Sequence, residues 1–292
     1  MNYAITHRTT YEYAAPVAVS HHVARLEPRP TPAQTPERFS LKIAPQPVLR
    51  KARADYFGNQ LCFFSVQEIH QRLEITASSR VQVRAREIAP PGKSLPWEEV
   101  GKLFRDPVAP EVISPYQFVF DSPHVRASLE LADYARESFP AGRPLLEGVM
   151  DLTRRIFKDF KYDSKATTII TPLEEVMEKR RGVCQDFAHL SIACLRSLGL
   201  PARYVSGYLR TRPPEGKEKL VGADASHAWI SVFCTCNGWK DFDPTNNLQV
   251  SEEHIAVAYG RDFSDVSPVA GVLTGGGQHE VKVSVDVEEL GE

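Results

Sequence analysis

Little in this sequence points toward a membrane, a nucleic acid or an oxidising compartment. No apolar stretch reaches bilayer-spanning length, and Met1-Asn2-Tyr3-Ala4-Ile5-Thr6-His7-Arg8 lacks the basic stretch and apolar run of a secretory leader. The 35 basic and 37 acidic residues leave a formal charge of -2 with the signs interspersed, so there is no basic footprint for nucleic acid or anionic lipid. The five cysteines, Cys62, Cys184, Cys194, Cys234 and Cys236, are odd in number and follow no disulfide-framework or C-x-x-C spacing. Cys234 and Cys236 alternate about Thr235 on a strand-like run, but no second Cys or His pair at zinc spacing accompanies them. The expectations are a cytoplasmic address, no metal or other cofactor, and neither nucleic acid nor membrane as a partner. What is present, 42% hydrophobic and 25% charged residues over 292 positions, suits a folded chain of about two domains.

Residues 1–88 read as β. Short runs such as Phe39-Ser40-Leu41-Lys42-Ile43, Leu61-Cys62-Phe63-Phe64-Ser65-Val66 and Leu73-Glu74-Ile75-Thr76 alternate in strand fashion between Pro-rich and Asx-Gly turns, which predicts a small sandwich. Residues 89–124 carry too many prolines for a continuous element and read as a packed connector, with one short helical piece near Trp97. Residues 125–292 form the second domain in this reading. Helices are predicted over 125–139, from Pro144 with Leu145, Val149, Leu152, Ile156 and Phe160 on one face, and from an N-cap at Thr171 to a stop at Gly182. Strand-like runs follow at 202–209, 227–236 and 239–243, then a polar loop signal at 212–217 and a last alternating strand at 281–287 after Gly275-Gly276-Gly277. Helices first and an antiparallel sheet after make the class α+β.

The chemistry centres on Arg181-Gly182-Val183-Cys184-Gln185-Asp186-Phe187-Ala188-His189-Leu190. From Phe187 the apolar residues keep helical spacing, and Gly199 with Pro201 supplies the stop, so Cys184 stands in a first helical turn. Unpaired N–H groups and the helix dipole favour an anion there, which makes the thiol a candidate nucleophile. A nucleophilic thiol needs a base of near-neutral pKa. His189 lies five residues along the same helix and about 140° round, so it reads as packing or capping. His227, in Ser226-His227-Ala228-Trp229-Ile230, stands at a strand start where a ring can face a helix N-terminus. Asp243, ahead of Pro244-Thr245-Asn246, ends a strand and can orient that ring, or it can merely begin an Asx turn; Asp241 shares its face. A strict Asn237-Gly238 two-residue hairpin would turn Asp243 to the wrong side of the sheet, so a bulge or a longer loop nearer Thr235 is expected.

Four blocks in order, Gly182 to Ala188, Leu198 to Tyr208, Ser226 to Trp229 and Gly238 to Asn246, resemble the transglutaminase-like cysteine peptidases of bacteria. Tyr11-Glu12-Tyr13 and Asp55-Tyr56-Phe57-Gly58-Asn59 resemble that family's N-terminal β domain, and Tyr259-Gly260-Arg261-Asp262-Phe263-Ser264 its C-terminal segment. The resemblance implies a papain-like core with Cys184 as nucleophile, His227 as acid and base, and Asp243 as orienting group. It also implies a protein or peptide substrate, with hydrolysis of a thioester as the leading expectation, transamidation as the first rival and an inert peptide-binding module as the second. Gln185, Tyr208, Trp229 and Tyr162 are the candidate cleft residues.

Overall fold

The computed structural model describes residues 1–86, 90–105, 107, 109–168, 170–211, 225–235 and 238–291. The loop expected over 212–217, Cys236 and Asn237 lie outside the described residues. Five strands open the chain: β1 (Asn2–Ala24), β2 (Gln34–Ala44), β3 (Leu49–Ala54), β4 (Gln60–Val66) and β5 (His70–Val83). Helices α1 (Trp97–Leu103), α2 (Pro110–Tyr116), α3 (Leu129–Arg136) and α4 (Leu145–Asp159) follow, then β6 (Lys161–Tyr162), α5 (Leu173–Lys179), β7 (Arg181–Gly182) and α6 (Cys184–Ser197). The chain continues through β8 (Ala202–Leu209), β9 (Ala225–Cys234), β10 (Gly238–Asp243), β11 (Leu248–Gln249), β12 (His254–Gly260), α7 (Phe263–Val266), β13 (Val269–Gly275) and β14 (His279–Leu290). None of the described helices is long and apolar enough to cross a membrane.

The class is α+β, a curled antiparallel sheet followed by helices packed on a second antiparallel sheet. β1 organises the first sheet. One edge of it pairs with β5 and then β4, the other with β14 and then β13. The tyrosines near Tyr3 and Tyr11 therefore belong to one strand of 23 residues, not to several short ones. Its pairing is interrupted around Pro16, which has no N–H to give, and Gly275, Gly276 and Gly277 lie opposite at φ +96, +80 and +63. Alternate residues of the sheet, including Val17, Phe64, Leu73 and Ile75, are buried in a core of its own. Tyr3, Ile5, Val81, Val285 and Val287 join the main core instead.

Two expectations change here. The last strand, counted with 125–292 in the sequence reading, pairs with β1 from Asn2 to Tyr13 and so lies in the first sheet. The helix expected over 125–139 starts only at Leu129, where the Ser128 side chain accepts the Leu131 N–H, because residues 122–125 close a small turn of their own.

The second sheet runs β11-β10-β9-β8-β12. α6 packs on Ala228, Ile230, Val232 and Cys234 of β9. Buried Arg196, in the last turn of α6, donates to the carbonyls of Phe118, Phe120, Ala202 and Arg261, tying the connector and β8 to the helix. The outer edge of β12 is closed by side-chain amides from the first sheet. Gln34 exchanges hydrogen bonds of 2.7 and 2.9 Å with Ala256, and Asn59 exchanges two of 2.8 Å with Tyr259. These amides stand in for a neighbouring strand.

Candidate active site

The start of α6 is fixed from below. α5 ends with Arg180 in the left-handed region, φ 51, and β7 then pairs in parallel with β6. The left-handed position is therefore Arg180, not Gly182. Gly182 serves close approach instead: a Cβ there would stand 2.7 Å from an Asp186 carboxylate oxygen. That oxygen accepts the Val183 N–H at 2.8 Å and the Thr167 hydroxyl at 2.6 Å, so the first turn is closed by its own acidic residue. Burial nevertheless raises the Asp186 carboxyl above its ordinary value. Thr171 does not cap α5. Its hydroxyl accepts the Thr168 N–H, and Pro172 holds the capping position.

Cys184 is the first residue of α6 and is partly exposed. His227, buried at 9% exposure, lies near enough to Cys184 for the sulfur to favour its charged form. The His227 Nε2 lies 2.7 Å from Asp243 Oδ2. A carboxylate oxygen only accepts, so Nε2 carries the proton and Nδ1 is left for the sulfur. Asp243 is fully buried. Its Oδ1 accepts the N–H groups of Thr245 and Asn246 at 2.9 and 3.2 Å, while Oδ2 also accepts from Asn246 Nδ2 at 2.7 Å and His254 Nε2 at 3.1 Å. One oxygen thus closes the Asx turn and the other meets the His227 ring.

The electrostatics follow from these contacts. Burial alone would raise Asp243, but the hydrogen bonds from His227 and His254 hold it far below the carboxylate range. Burial would likewise lower His227, yet its bonds to Asp243 and Cys184 outweigh that and raise it above an ordinary histidine. His254, whose burial outweighs the help of Asp243, is lowered. Two histidines that share one carboxylate oxygen are therefore pushed apart, His227 toward the charged form and His254 toward the neutral form.

Register explains why Asp243 can reach His227. β9 and β10 pair Cys234 with Gly238 and Ile230 with Phe242, so the link spans three residues, 235–237, rather than two. This sets Asp243 on the face of His227 and Trp229, as a longer loop was expected to do. Asp241 shares that face but is engaged elsewhere, by Arg86 at 2.6 Å and Trp229 Nε1 at 3.4 Å.

The cleft residues divide. Tyr162, 54% exposed, pairs beside Gly182 and lies near enough to Cys184 for the sulfur, after burial, to raise its phenol. Gln185 is half-buried in the first turn of α6. Tyr208 leaves the group, since its buried hydroxyl meets His7 Nδ1 of β1 at 3.1 Å. Trp229 also leaves it: fully buried, it packs on His254 at 5.3 Å and supports the site from beneath. His189 caps α7 by accepting the Phe263 N–H at 3.1 Å. The residues that sequence reasoning missed are His254 and Asn246. Asn246 stood in a quoted motif, and His254 is the first residue of β12, a polar-to-strand junction like the one read at His227, which is the signal available for it.

His227, Asp243 and His254 bring their ligand atoms within 4.8 Å of one another, at separations of 2.7 and 3.1 Å that suit hydrogen bonds between the carboxylate and each ring. A thiol at a helix start facing a carboxylate-held imidazole, beside an antiparallel sheet, defines a transglutaminase-like core. The chain belongs to the transglutaminase-like superfamily: that family's description matches residues 132–244, and "Bacterial transglutaminase-like N-terminal region" matches residues 3–82. An uncharacterized protein of Mycobacterium tuberculosis is 40% identical across 98% of this chain and 92% of its own length. A solved structure from Cytophaga hutchinsonii, described as a "Putative Cysteine Protease", superposes with a TM-score of 0.76 over all of this chain and 91% of that one, at 21% identity, and so shares the fold. A Pseudomonas aeruginosa protein named "Protein-glutamine gamma-glutamyltransferase" is 32% identical, over 46% of this chain and 20% of that protein.

Proposed function

We propose that the protein is a cysteine-dependent acyl-transfer enzyme that hydrolyses peptide or isopeptide amides through Cys184, His227 and Asp243. The observation that carries this is the 2.7 Å bond from His227 Nε2 to Asp243, which aims the other ring nitrogen at a thiol in the first turn of α6. The Cys184 sulfur attacks the amide carbon, and the carbonyl oxygen becomes an oxyanion met by the Cys184 backbone N–H at the positive end of the helix. His227 Nδ1, which takes the Cys184 thiol proton as the sulfur attacks, gives that proton to the leaving amine, the C–N bond breaks, and a thioester remains. His227 then takes a proton from water, whose oxygen attacks the thioester carbon. The acid is released and the thiol restored. Asp243 stays ionised throughout and holds the imidazolium.

Partial exposure of Cys184 supports water as the acceptor, since transfer to an amine needs water kept from the thioester. The Pseudomonas aeruginosa relative's name supports the second reading, in which an amine takes the acyl group. A cytoplasmic address forms part of the proposal and is supported by thiols at Cys62, Cys184 and Cys194 that form no disulfide. The test is incubation with a peptide library and a tagged primary amine, read by mass. Cleaved or deamidated peptides in excess, lost in Cys184→Ala, are expected. Tagged products in excess would replace hydrolysis by transamidation, and no Cys184-dependent product would sink both.

A further inference from the structure

A cavity of about 660 Å³ opens between the first sheet and the second, on the face of β10 that carries Asp241. Arg29, Arg84, Arg86, Arg203 and Lys240 line it, with Asp241 as the lining carboxylate. Five cations against one anion in a chain whose formal charge is -2 is a local concentration of charge that the composition does not foreshadow.

The guanidinium groups there are short of partners. Arg86 gives one nitrogen to Asp241, yet among the described residues its Nε and Nη2 are buried without an acceptor, as are Arg29 Nε and Arg203 Nε. Buried donors of this kind are almost always paired, and a charged one left alone is costly. Arg203 is the most telling. Its Cζ lies over the Trp239 ring at 3.9 Å and over the Tyr259 ring at 3.8 Å, while Arg29 lies over the same Tyr259 ring at 4.1 Å. Held between two aromatic rings, the guanidinium keeps its N–H edge for an anion, and that edge takes a carboxylate or phosphate with two parallel hydrogen bonds. Burial lowers the Arg203 guanidinium to about 10 and Arg29 adds to this, so an anion entering the cavity would relieve crowding among like charges.

We infer that this cavity is a binding site for a compact polyanion bearing phosphate or carboxylate groups, with Arg203 as its central fork and Arg86, Arg84 and Lys240 around it. The inference is independent of the acyl-transfer reading. It also reaches the triad physically, because Asp241, the partner of Arg86, accepts from Trp229, whose ring packs on His254.

Titration calorimetry on the full chain, with pyrophosphate and with citrate at chloride-matched ionic strength, tests it and tells the two anion classes apart. Saturable one-to-one binding of at least one anion is expected. Arg203→Met should weaken it about tenfold or more, the order of a lost charge-assisted bidentate contact. Arg84→Gln combined with Lys240→Gln, both on side chains outside the core, should weaken it in the same direction and keeps the test decisive should Arg203→Met fail to fold. Absence of saturable heat with both anions, or affinity unchanged in the double variant, would overturn the inference.

Discussion

Asp243 shows how much one side chain can settle. One oxygen closes a turn through two backbone N–H groups, and the other receives His227, Asn246 and His254. Cys184, His227 and Asp243 were legible because each sits at a boundary that sequence marks, a helix start, a strand start and a proline-stopped strand end. His254 was not legible: it lies on β12, separated from the β9 strand of His227 by β8, and a local sequence pattern does not show that pairing, which brings the two rings to 6.0 Å. Buried histidines also set the response to acid. His7, between Tyr208 and Thr9, is lowered by burial from 6.5 to about 4. A folded-state value below the unfolded one means the unfolded chain binds the extra proton first, so stability is present above pH 6.5 and is lost as pH falls toward 4. His7 alone should cost the wild type roughly 2 to 3 kcal/mol between neutrality and pH 4.5. Urea titrations at the two pH values should show a smaller loss for His7→Gln; an identical loss would remove His7 from the account.

At the scale of elements, the start of α6 depends on contacts that a sequence does not display. Gly182 looked like a helix-ending glycine, but its missing Cβ is what admits the Asp186 carboxylate against the chain. Gly182→Ala should therefore destabilise by about 1 to 3 kcal/mol, an overpacking cost, and shift the turn that carries Cys184. Chemical denaturation together with peptide turnover checks this, and an unchanged midpoint with full turnover would contradict it. The hairpin between β9 and β10 offers the opposite lesson. Asn237-Gly238 is a strong local turn signal, yet the pairing is displaced by three residues, because the register must put Phe242 in the core and Asp243 against His227.

For the whole molecule, the alternation of residues 281–287 announced a strand without saying which sheet it joins. It returns to the first sheet, beside β1, and buries Val285 and Val287 to 1% exposure. Long-range pairing of this kind leaves no local trace, so the alternation marks a strand but not its partner. Removing residues 269–292 should lower stability by at least about 3 kcal/mol, the burial of two valines at roughly 1.5 to 3 kcal/mol each. A truncated chain with the thermal midpoint of the full chain would contradict that arrangement. The first sheet also closes the edge of β12 through Gln34 and Asn59, so the N-terminal motif read at Asp55 to Asn59 serves the core structurally.

The central claim is that His227 activates Cys184, and thiol alkylation measures it most directly. Cys62 and Cys194 are buried and should label slowly whatever the chemistry. The deciding comparison is the rate at Cys184 near neutral pH in the wild type and in His227→Ala. The account predicts a fall of about tenfold or more when the imidazole is removed. Equal rates in the two proteins would contradict it.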